Sequence, residues 1–201
     1  AHGATFTLAG FVFYEIYVPL DAGWPAAVAG SLLAAAAFGV LLDRCVYAVI
    51  RRHEGSFFTL FVASFGAAVV VQNVIAIVFG RGLVTVSTPL SKSVEWLPGV
   101  YVAPITGIVL ACAAVCFIAL HALLTRSNAG IALRALGENS ALIGVYGLTA
   151  RRLSMVAFLI GSVLVVPAAI LTAATAGLTP AMGHHIMLIS IAATIVGGVG
   201  T

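Results

Sequence analysis

Five long stretches of this chain contain no Asp, Glu, Lys or Arg, and this feature restricts its fold most strongly. They are residues 24–42, 57–79, 100–124, 153–176 and 183–201. A helix needs about 20 apolar residues to cross the hydrocarbon core of a bilayer, so each stretch can form a membrane span. A transmembrane β-barrel would alternate polar and apolar residues instead. The spans are therefore predicted to be helical.

The composition excludes a water-soluble globule. Charged residues make up 7% of the 201 residues, whereas a soluble domain has about 25%. Disorder is excluded as well, because it requires low hydrophobicity, and 62% of this chain is hydrophobic. A shorter apolar stretch, residues 4–20, precedes the five long ones and contains Glu15. We predict an all-α polytopic membrane protein with about six transmembrane helices in a single domain over residues 1–201.

The basic residues indicate which side of the membrane each connection faces. Seven of the nine lie in residues 43–56 and 125–152, two connections that are separated by two spans. The positive-inside rule places both connections in the cytoplasm. The opposite connections are residues 21–23, 80–99 and 177–182. Because the basic residues do not form a stripe, the net charge of +3 does not indicate binding to nucleic acid.

The five long stretches contain polar side chains but no carboxylate, Lys or Arg, which argues against a proton relay. For Gln72 and Asn73, hydrogen bonding between helices and the lining of a polar solute path both stay open. The glycine run at 197–200 weakens its helix, and a broken helix is tolerated at membrane depth where it lines a cavity. The candidates for a solute path are Gln72, Asn73, Gly197, Gly198 and Gly200.

No metal site or catalytic centre is predicted. Cys112 and Cys116 share a helix face, but no further ligands accompany them, and packing explains them. His184 and His185 lack acidic partners. A nucleophilic Ser190 would need its base within hydrogen-bond reach, and His185 is poorly placed five residues earlier. The chain also lacks the Gly-x-x-x-x-Gly-Lys-Ser/Thr sequence of a P-loop, so it is not expected to hydrolyse ATP by that route.

The connection 125–152 contains two short pieces with helical character, each followed by a glycine. They are residues 131–136 and 140–146, with Gly137 and Gly147. Glu138 and Asn139 precede the second piece, where a carboxylate or an amide favours a helix N-terminus. That piece carries an apolar stripe formed by Ala141, Leu142 and Val145. We predict a short amphipathic helix at the cytoplasmic face that either rests on lipid or docks into a groove of a partner.

Several motifs in this order resemble the membrane permease subunits of branched-chain amino acid ABC importers. The segment GIALRALGENSALIGVYGLTARRL is similar to the family's cytoplasmic coupling motif, with Glu138 and Gly147 at its Glu and Gly positions. The opening Ala-His-Gly resembles the end of the family's Asn-Phe-Ala-His-Gly element. Residues 43–47 resemble its Glu-Arg-x-x-Tyr loop, residues 71–73 its Leu-Gln-Asn, and residues 197–200 its Gly-Gly-x-Gly.

The resemblance implies a bacterial inner-membrane permease subunit of an ATP-driven importer, and not an enzyme. Separate ABC ATPase subunits would hold ATP and Mg, and this chain would carry no cofactor of its own. A second permease subunit and a periplasmic solute-binding protein would complete the assembly in the lipid bilayer. The residues that the resemblance assigns to ATPase coupling are Arg134, Glu138, Asn139, Ala141, Leu142, Val145 and Gly147.

Two points limit what the resemblance implies. Members of the family have a further membrane segment before Ala-His-Gly and several spans after Gly-Gly-x-Gly, so the chain is expected to be truncated at both ends. Close relatives carry urea, other amino acids or simple sugars, so branched-chain amino acids are one solute class among several. Two different functions also stay open at this point. One is a secondary carrier or channel, which would transport without ATP, and the other is a structural membrane subunit without its own path.

Overall fold

The computed structural model describes residues 2–53, 56–86, 94–97, 100–138, 147 and 149–198, most of which are helical. The helices are α1 (His2–Tyr17), α2 (Trp24–Leu42), α3 (Ala48–Arg52), α4 (Phe57–Phe79), α5 (Pro104–Arg126), α6 (Asn128–Glu138), α7 (Ala150–Thr175) and α8 (Met182–Gly197). A π-helical turn, Asp43–Tyr47, joins α2 to α3. Two short strands, β1 (Val94–Leu97) and β2 (Val100–Val102), pair antiparallel.

Among the described residues, four helical segments are long and apolar enough to cross a membrane. They are Trp24–Arg51, Phe58–Phe79, Pro104–Arg126 and Ala150–Thr175. Helices α1 and α8 are shorter, with 16 residues each. The prediction of an all-α polytopic membrane protein is confirmed.

Local sequence explains where the helices begin. The predicted spans 24–42 and 57–79 coincide with α2 and α4. Ser56 caps the start of α4, because its hydroxyl accepts a hydrogen bond from the Thr59 N–H at 3.3 Å. For the predicted span 100–124, the predicted first residue is wrong. Residues 100–102 form β2, and α5 begins at Pro104, because a proline suits the first helical position, where no N–H bond is needed.

Helix α6 is longer than its sequence predicts. It begins after Ser127, whose hydroxyl accepts a hydrogen bond from the Gly130 N–H at 2.9 Å, and continues to Glu138. The prediction that Gly137 ends this piece is therefore wrong, because a single glycine costs a helix only about 1 kcal/mol. The second predicted piece, residues 140–146, lies outside the described residues, and Gly147 has a φ of 70°.

The chain divides into two compact units. The first is Ala1–Val86 with Val165–Thr201, and the second is Ser87–Leu164. In the first unit the core is built around α1, whose Phe6, Phe11 and Phe13 are buried together with small residues of α2 and α7. In the second unit α6 turns back against α5. The prediction of a single domain stays a prediction.

Helices α1 and α8 cross at two glycines. A Cβ atom on Gly3 would lie 2.5 Å from the carbonyl oxygen of Gly183, and a Cβ atom on Gly183 would overlap the Gly3 carbonyl and the Thr7 hydroxyl. Only glycine at both positions allows the two backbones to approach this closely, as small residues do at contacts between membrane helices.

Two connections of the first unit are joined by a β-bridge. The Val84 N–H donates to the Leu178 carbonyl at 2.9 Å, and the Leu178 N–H donates to the Val84 carbonyl at 2.6 Å. Gly177 makes room for this bridge, because its φ is 79° and a Cβ atom there would lie 2.9 Å from the side chains of Leu83 and Thr85. The chain segments after α4 and after α7 are thereby held side by side.

Candidate functional site

A cavity of about 300 Å³ lies in the first unit between α4 and the connection from α7 to α8. Its lining combines amides, a cation, a hydroxyl and small apolar groups. The lining residues are Gln72, Asn73, Ala76, Arg81, Thr179, Pro180 and Ala181.

The cavity lies alongside α4, within the length of that helix. Gln72 is about two turns before Phe79, where α4 ends, and Phe65 is about four turns before that end. The ring of Phe65 packs edge-on against His184, near the start of α8, with 5.1 Å between the ring centroids. The connection 177–182 therefore returns along α4, and α8 begins beside the middle of that helix. A re-entrant path of this kind is tolerated at membrane depth where it is buried in protein or lines a cavity.

Helix α4 presents Gln72, Asn73 and Ala76 to the cavity because these positions share one helical face. The Asn73 amide nitrogen donates a hydrogen bond to the Val69 carbonyl at 2.8 Å, which anchors this side chain along its own helix. An amide carries two N–H donors and an acceptor oxygen, so Asn73 keeps hydrogen-bonding capacity toward a solute. Gln72 is half-buried beside it.

Arg81 enters the lining because the chain turns sharply at the end of α4. Gly80 caps that helix with a φ of 81°, a left-handed conformation that glycine adopts without strain. The ion pair between Arg51 and Asp43 is the only one found in the part of the chain that the structure describes. No described carboxylate therefore neutralises the Arg81 guanidinium.

Thr179, Pro180 and Ala181 are positioned from both of their ends. Leu178, which precedes them, is buried in the core and forms the bridge to Val84. After them, the Met182 N–H donates to the Thr179 carbonyl at 3.1 Å and starts the first turn of α8. The segment is thus fixed by backbone hydrogen bonds, and its side chains complete the wall opposite α4.

The whole chain matches one known family. The sequence profile described as "Branched-chain amino acid transport system / permease component" matches residues 1–201. The chain belongs to this family of permeases. It is 24% identical to the high-affinity branched-chain amino acid transport system permease protein LivH of Escherichia coli K12, and the alignment covers 100% of the chain and 69% of that protein. LivH of Salmonella typhimurium matches with the same identity and coverage. No solved structure matches the chain.

This match confirms the family resemblance drawn from the motifs. The permease is a multi-pass membrane protein, and its relatives are transport subunits. A nucleophilic Ser190 would have to donate its hydroxyl proton to a histidine base. In the structure the Ser190 hydroxyl donates instead to the Ile186 carbonyl of its own helix, at 2.9 Å.

The structure brings together only part of the predicted solute path. Gln72 and Asn73 line the cavity, but Gly197 and Gly198, the described part of the glycine run, do not. Helix α8 ends at Gly197, and Gly198 follows with a φ of 89°, about 24 Å along the helix from Met182. Gly200 lies outside the described residues. That the solute path includes these glycines stays a prediction.

Sequence reasoning missed Ala76, which shares the helix face of Gln72 and Asn73, and it missed four residues outside α4: Arg81, Thr179, Pro180 and Ala181. Arg81 could have been noticed, because it is one of two basic residues outside the two connections that were predicted to be cytoplasmic. The other three residues outside α4 carried no signal, because they approach α4 across about a hundred residues of chain.

The residues predicted for ATPase coupling lie in and after α6. Arg134 is exposed on α6, and Glu138 is the last residue of that helix. Gly147 has the left-handed backbone already noted. The remaining four, Asn139, Ala141, Leu142 and Val145, lie outside the described residues.

The Asp-Arg-Cys-Val-Tyr motif forms a polar cluster at the end of α2. Asp43 is buried and accepts a hydrogen bond from the Arg51 guanidinium at 2.5 Å. The Ser64 hydroxyl donates to the Leu60 carbonyl at 2.8 Å, so the Tyr47 hydroxyl, 2.5 Å from it, is the donor of that second bond. The motif therefore ties the π-helical turn to α3 and to α4 of the permease.

Proposed function

We propose that this permease is the inner-membrane subunit of an ATP-driven bacterial importer for branched-chain amino acids. The family match over the entire chain carries this proposal, because the relatives are named as permeases of branched-chain amino acid transport systems. In this assembly the permease forms the solute path together with a second permease subunit. Separate ATPase subunits hold ATP and Mg and hydrolyse the nucleotide. A periplasmic solute-binding protein delivers the amino acid.

The cavity supports a small polar solute. Its lining combines amide, hydroxyl and guanidinium groups with small apolar surfaces. Its volume lies at the lower limit of ligand pockets, which span about 300–1,000 Å³. An amino acid suits this size, and the amides can bind it without a permanent acidic group in the lining.

We propose that the ATPase subunits contact the connection 125–152 and that their conformational change moves it. A Cβ atom on Gly130 would overlap the Leu123 carbonyl, so α6 starts in backbone contact with the end of α5. A partner that pushes α6 therefore moves α5, because no flexible side chain lies between the two backbones. The coupling residues proposed from the family motif are Arg134, Glu138, Asn139, Ala141, Leu142, Val145 and Gly147.

The test uses the full-length permease reconstituted in liposomes with its ATPase, second permease and binding protein. Wild-type protein should take up leucine only when ATP is present on the side of the membrane that carries the ATPase. Urea and a simple sugar, offered in place of leucine, should not be taken up. Uptake without ATP would instead identify a secondary carrier or channel.

Glu138→Arg and Ala141→Asp should separate hydrolysis from transport. We expect each variant to lower leucine uptake at least about tenfold while ATP hydrolysis continues, because a charge reversed or buried at a docking contact costs about 2 kcal/mol or more. Ala150→Asp is the matched control, because Ala150 is not one of the proposed coupling residues and is exposed at the first turn of α7, where an acidic residue is favourable. Wild-type uptake by both coupling variants would contradict the coupling role.

A further inference from the structure

We propose that the cavity beside α4 binds the carboxylate group of the transported solute, with Arg81 as its charge partner. This inference rests on the proposed function and names the chemical group that the permease itself recognises. It predicts that the carboxylate, and not the ammonium group, decides which small molecules enter the cavity.

The charge of Arg81 favours a ligand with a negative charge. The Arg81 guanidinium is a cation with five N–H donors in a planar fork that fits a carboxylate. No acidic side chain is found in the cavity lining, and no described carboxylate pairs with Arg81. A ligand that carries a negative charge would complete this site, whereas neutral urea or a sugar would leave the cation without a counter-charge.

The polar groups near Arg81 also suit a carboxylate. Gln72 and Asn73 bring amide donors to the cavity, and Thr179 brings a hydroxyl from the opposite wall. All three can donate hydrogen bonds to the oxygens of a carboxylate. Arg81 and these donors come from three different segments, so they surround the cavity and are not a row along one helix.

Helix α8 adds to the same electrostatic preference. It begins at Met182, directly after the three lining residues 179–181, and a helix N-terminus carries a partial positive charge. Its first N–H groups are already used, because Met182 donates to Thr179 and His184 donates to Ala181, both at 3.1 Å. The helix therefore contributes a field, and the direct contacts come from the side chains.

The lining offers the ammonium group no negatively charged partner. The apolar part of the wall consists of Ala76, Pro180 and Ala181, which are small and do not form a shaped slot for one branched side chain. The cavity should therefore accept short carboxylates of similar size with or without an amine. Other parts of the assembly would then have to distinguish leucine, isoleucine and valine by their side chains.

The experiment measures ligand-dependent thermal stabilisation of the full-length permease purified with its partner subunits. The solute-binding protein is omitted, because it would itself bind leucine. Three probes share the same carbon skeleton: leucine carries both charges, 4-methylpentanoate only the carboxylate, and leucinol only the ammonium. Leucine and 4-methylpentanoate should raise the melting temperature at concentrations up to about 10 mM, and leucinol should not.

Variants assign the effect to the cavity. Arg81→Gln should raise the Kd for both carboxylates at least about tenfold, and Arg81→Lys should raise it less, because the loss of a charged hydrogen bond is larger than its distortion. Arg44→Gln removes an exposed cation that is not part of the cavity lining and should leave the Kd unchanged. Gln72→Glu supplies a carboxylate of nearly the same shape inside the cavity, so it should compete with the ligand and abolish the stabilisation even if Arg81→Gln fails to fold.

The possible results separate this inference from the proposed function. Equal stabilisation by leucinol and leucine, no stabilisation by either carboxylate, or an unchanged Kd in Arg81→Gln and Gln72→Glu would overturn the carboxylate site. ATP-dependent leucine uptake in the liposome assay would then still support the importer. Conversely, carboxylate binding that depends on Arg81 without any ATP-dependent uptake would leave the site in place and contradict the importer.

Discussion

Helices α1 and α5 are both rich in small and apolar residues, yet α1 is buried by neighbouring helices and α5 is largely exposed. In α1, nine of the 16 residues are buried, and they lie on all sides of the helix. In α5, Ile105 is the one buried residue among those described, and Leu110, Phe117 and Ile118 are each about two-thirds exposed or more. Apolar sequence therefore decides that a helix lies in a membrane, but not whether lipid or protein surrounds it.

Small residues at the contact positions account for the difference. Gly3 of α1 meets the backbone of α8, and Gly10 meets the Leu178 side chain, where an added Cβ atom would lie 2.8 Å from Leu178. Gly107 of α5 has nothing within 4 Å of an added Cβ atom. Without a hydrophobic driving force between helices in lipid, such close contacts are what holds them together.

The largest expected difference between the two regions comes from substituting their glycines. Gly183→Ala, at the crossing with α1, should lower the free energy of unfolding by about 3 kcal/mol, because the new Cβ atom meets backbone that cannot rotate away. Gly107→Ala in α5 should be neutral or stabilise by up to about 1 kcal/mol, because alanine favours a helix. Unfolding of the full-length permease in a detergent titration measures both, and equal losses would contradict the comparison.

A second pair exchanges a buried phenylalanine for an exposed one. Phe11 is 1% exposed and packs against Phe79 with 5.0 Å between ring centroids, whereas Phe117 is 72% exposed. Phe11→Ala should cost about 2 kcal/mol, less than in a soluble core because lipid is as apolar as the site that the ring leaves.

Phe117→Ala should change the free energy of unfolding by less than about 0.5 kcal/mol. The same detergent titration measures it. A loss at Phe117 as large as that at Phe11 would show that a partner subunit covers α5 in the purified assembly.

The smallest expected difference concerns hydroxyl groups. Ser31 is fully buried, and its hydroxyl donates to the Ala9 carbonyl of the neighbouring helix at 3.1 Å. Ser31→Ala should cost about 1 kcal/mol, the usual value for a hydrogen bond between membrane helices. Thr125→Val is the control, because the Thr125 hydroxyl is exposed and donates within its own helix at 2.7 Å. Identical results for the two variants would mean that the Ser31 bond does not join α1 to α2.

The sequence predicted the helices better than the connections between them. Spans 24–42 and 57–79 agree with α2 and α4 because a charged or turn-forming residue stands at each boundary. The start of α5 was predicted too early, because residues 100–102 are as apolar as a span and only Pro104 marks the true beginning. Apolar character alone does not separate a short strand from a membrane helix.

Two of the seven residues that line the candidate site were predicted from the sequence, and five were not. Gln72 and Asn73 could be singled out because amides are uncommon in an apolar stretch. Thr179, Pro180 and Ala181 read as an ordinary turn between two spans, since nothing local indicates that the chain returns along α4. Their position depends on the pairing of Leu178 with Val84 and on the glycine crossing at Gly183, both of which are contacts between distant parts of the sequence.

The bridge between Val84 and Leu178 has a consequence for how such permeases diversify. It is made of main-chain groups alone, and it stands one residue before Thr179 and three residues after Arg81. The spacing of the two walls is thus independent of the side chains that line the cavity. Those side chains can be exchanged one at a time in evolution, which changes the chemistry of the cavity without changing the main chain that holds its walls together.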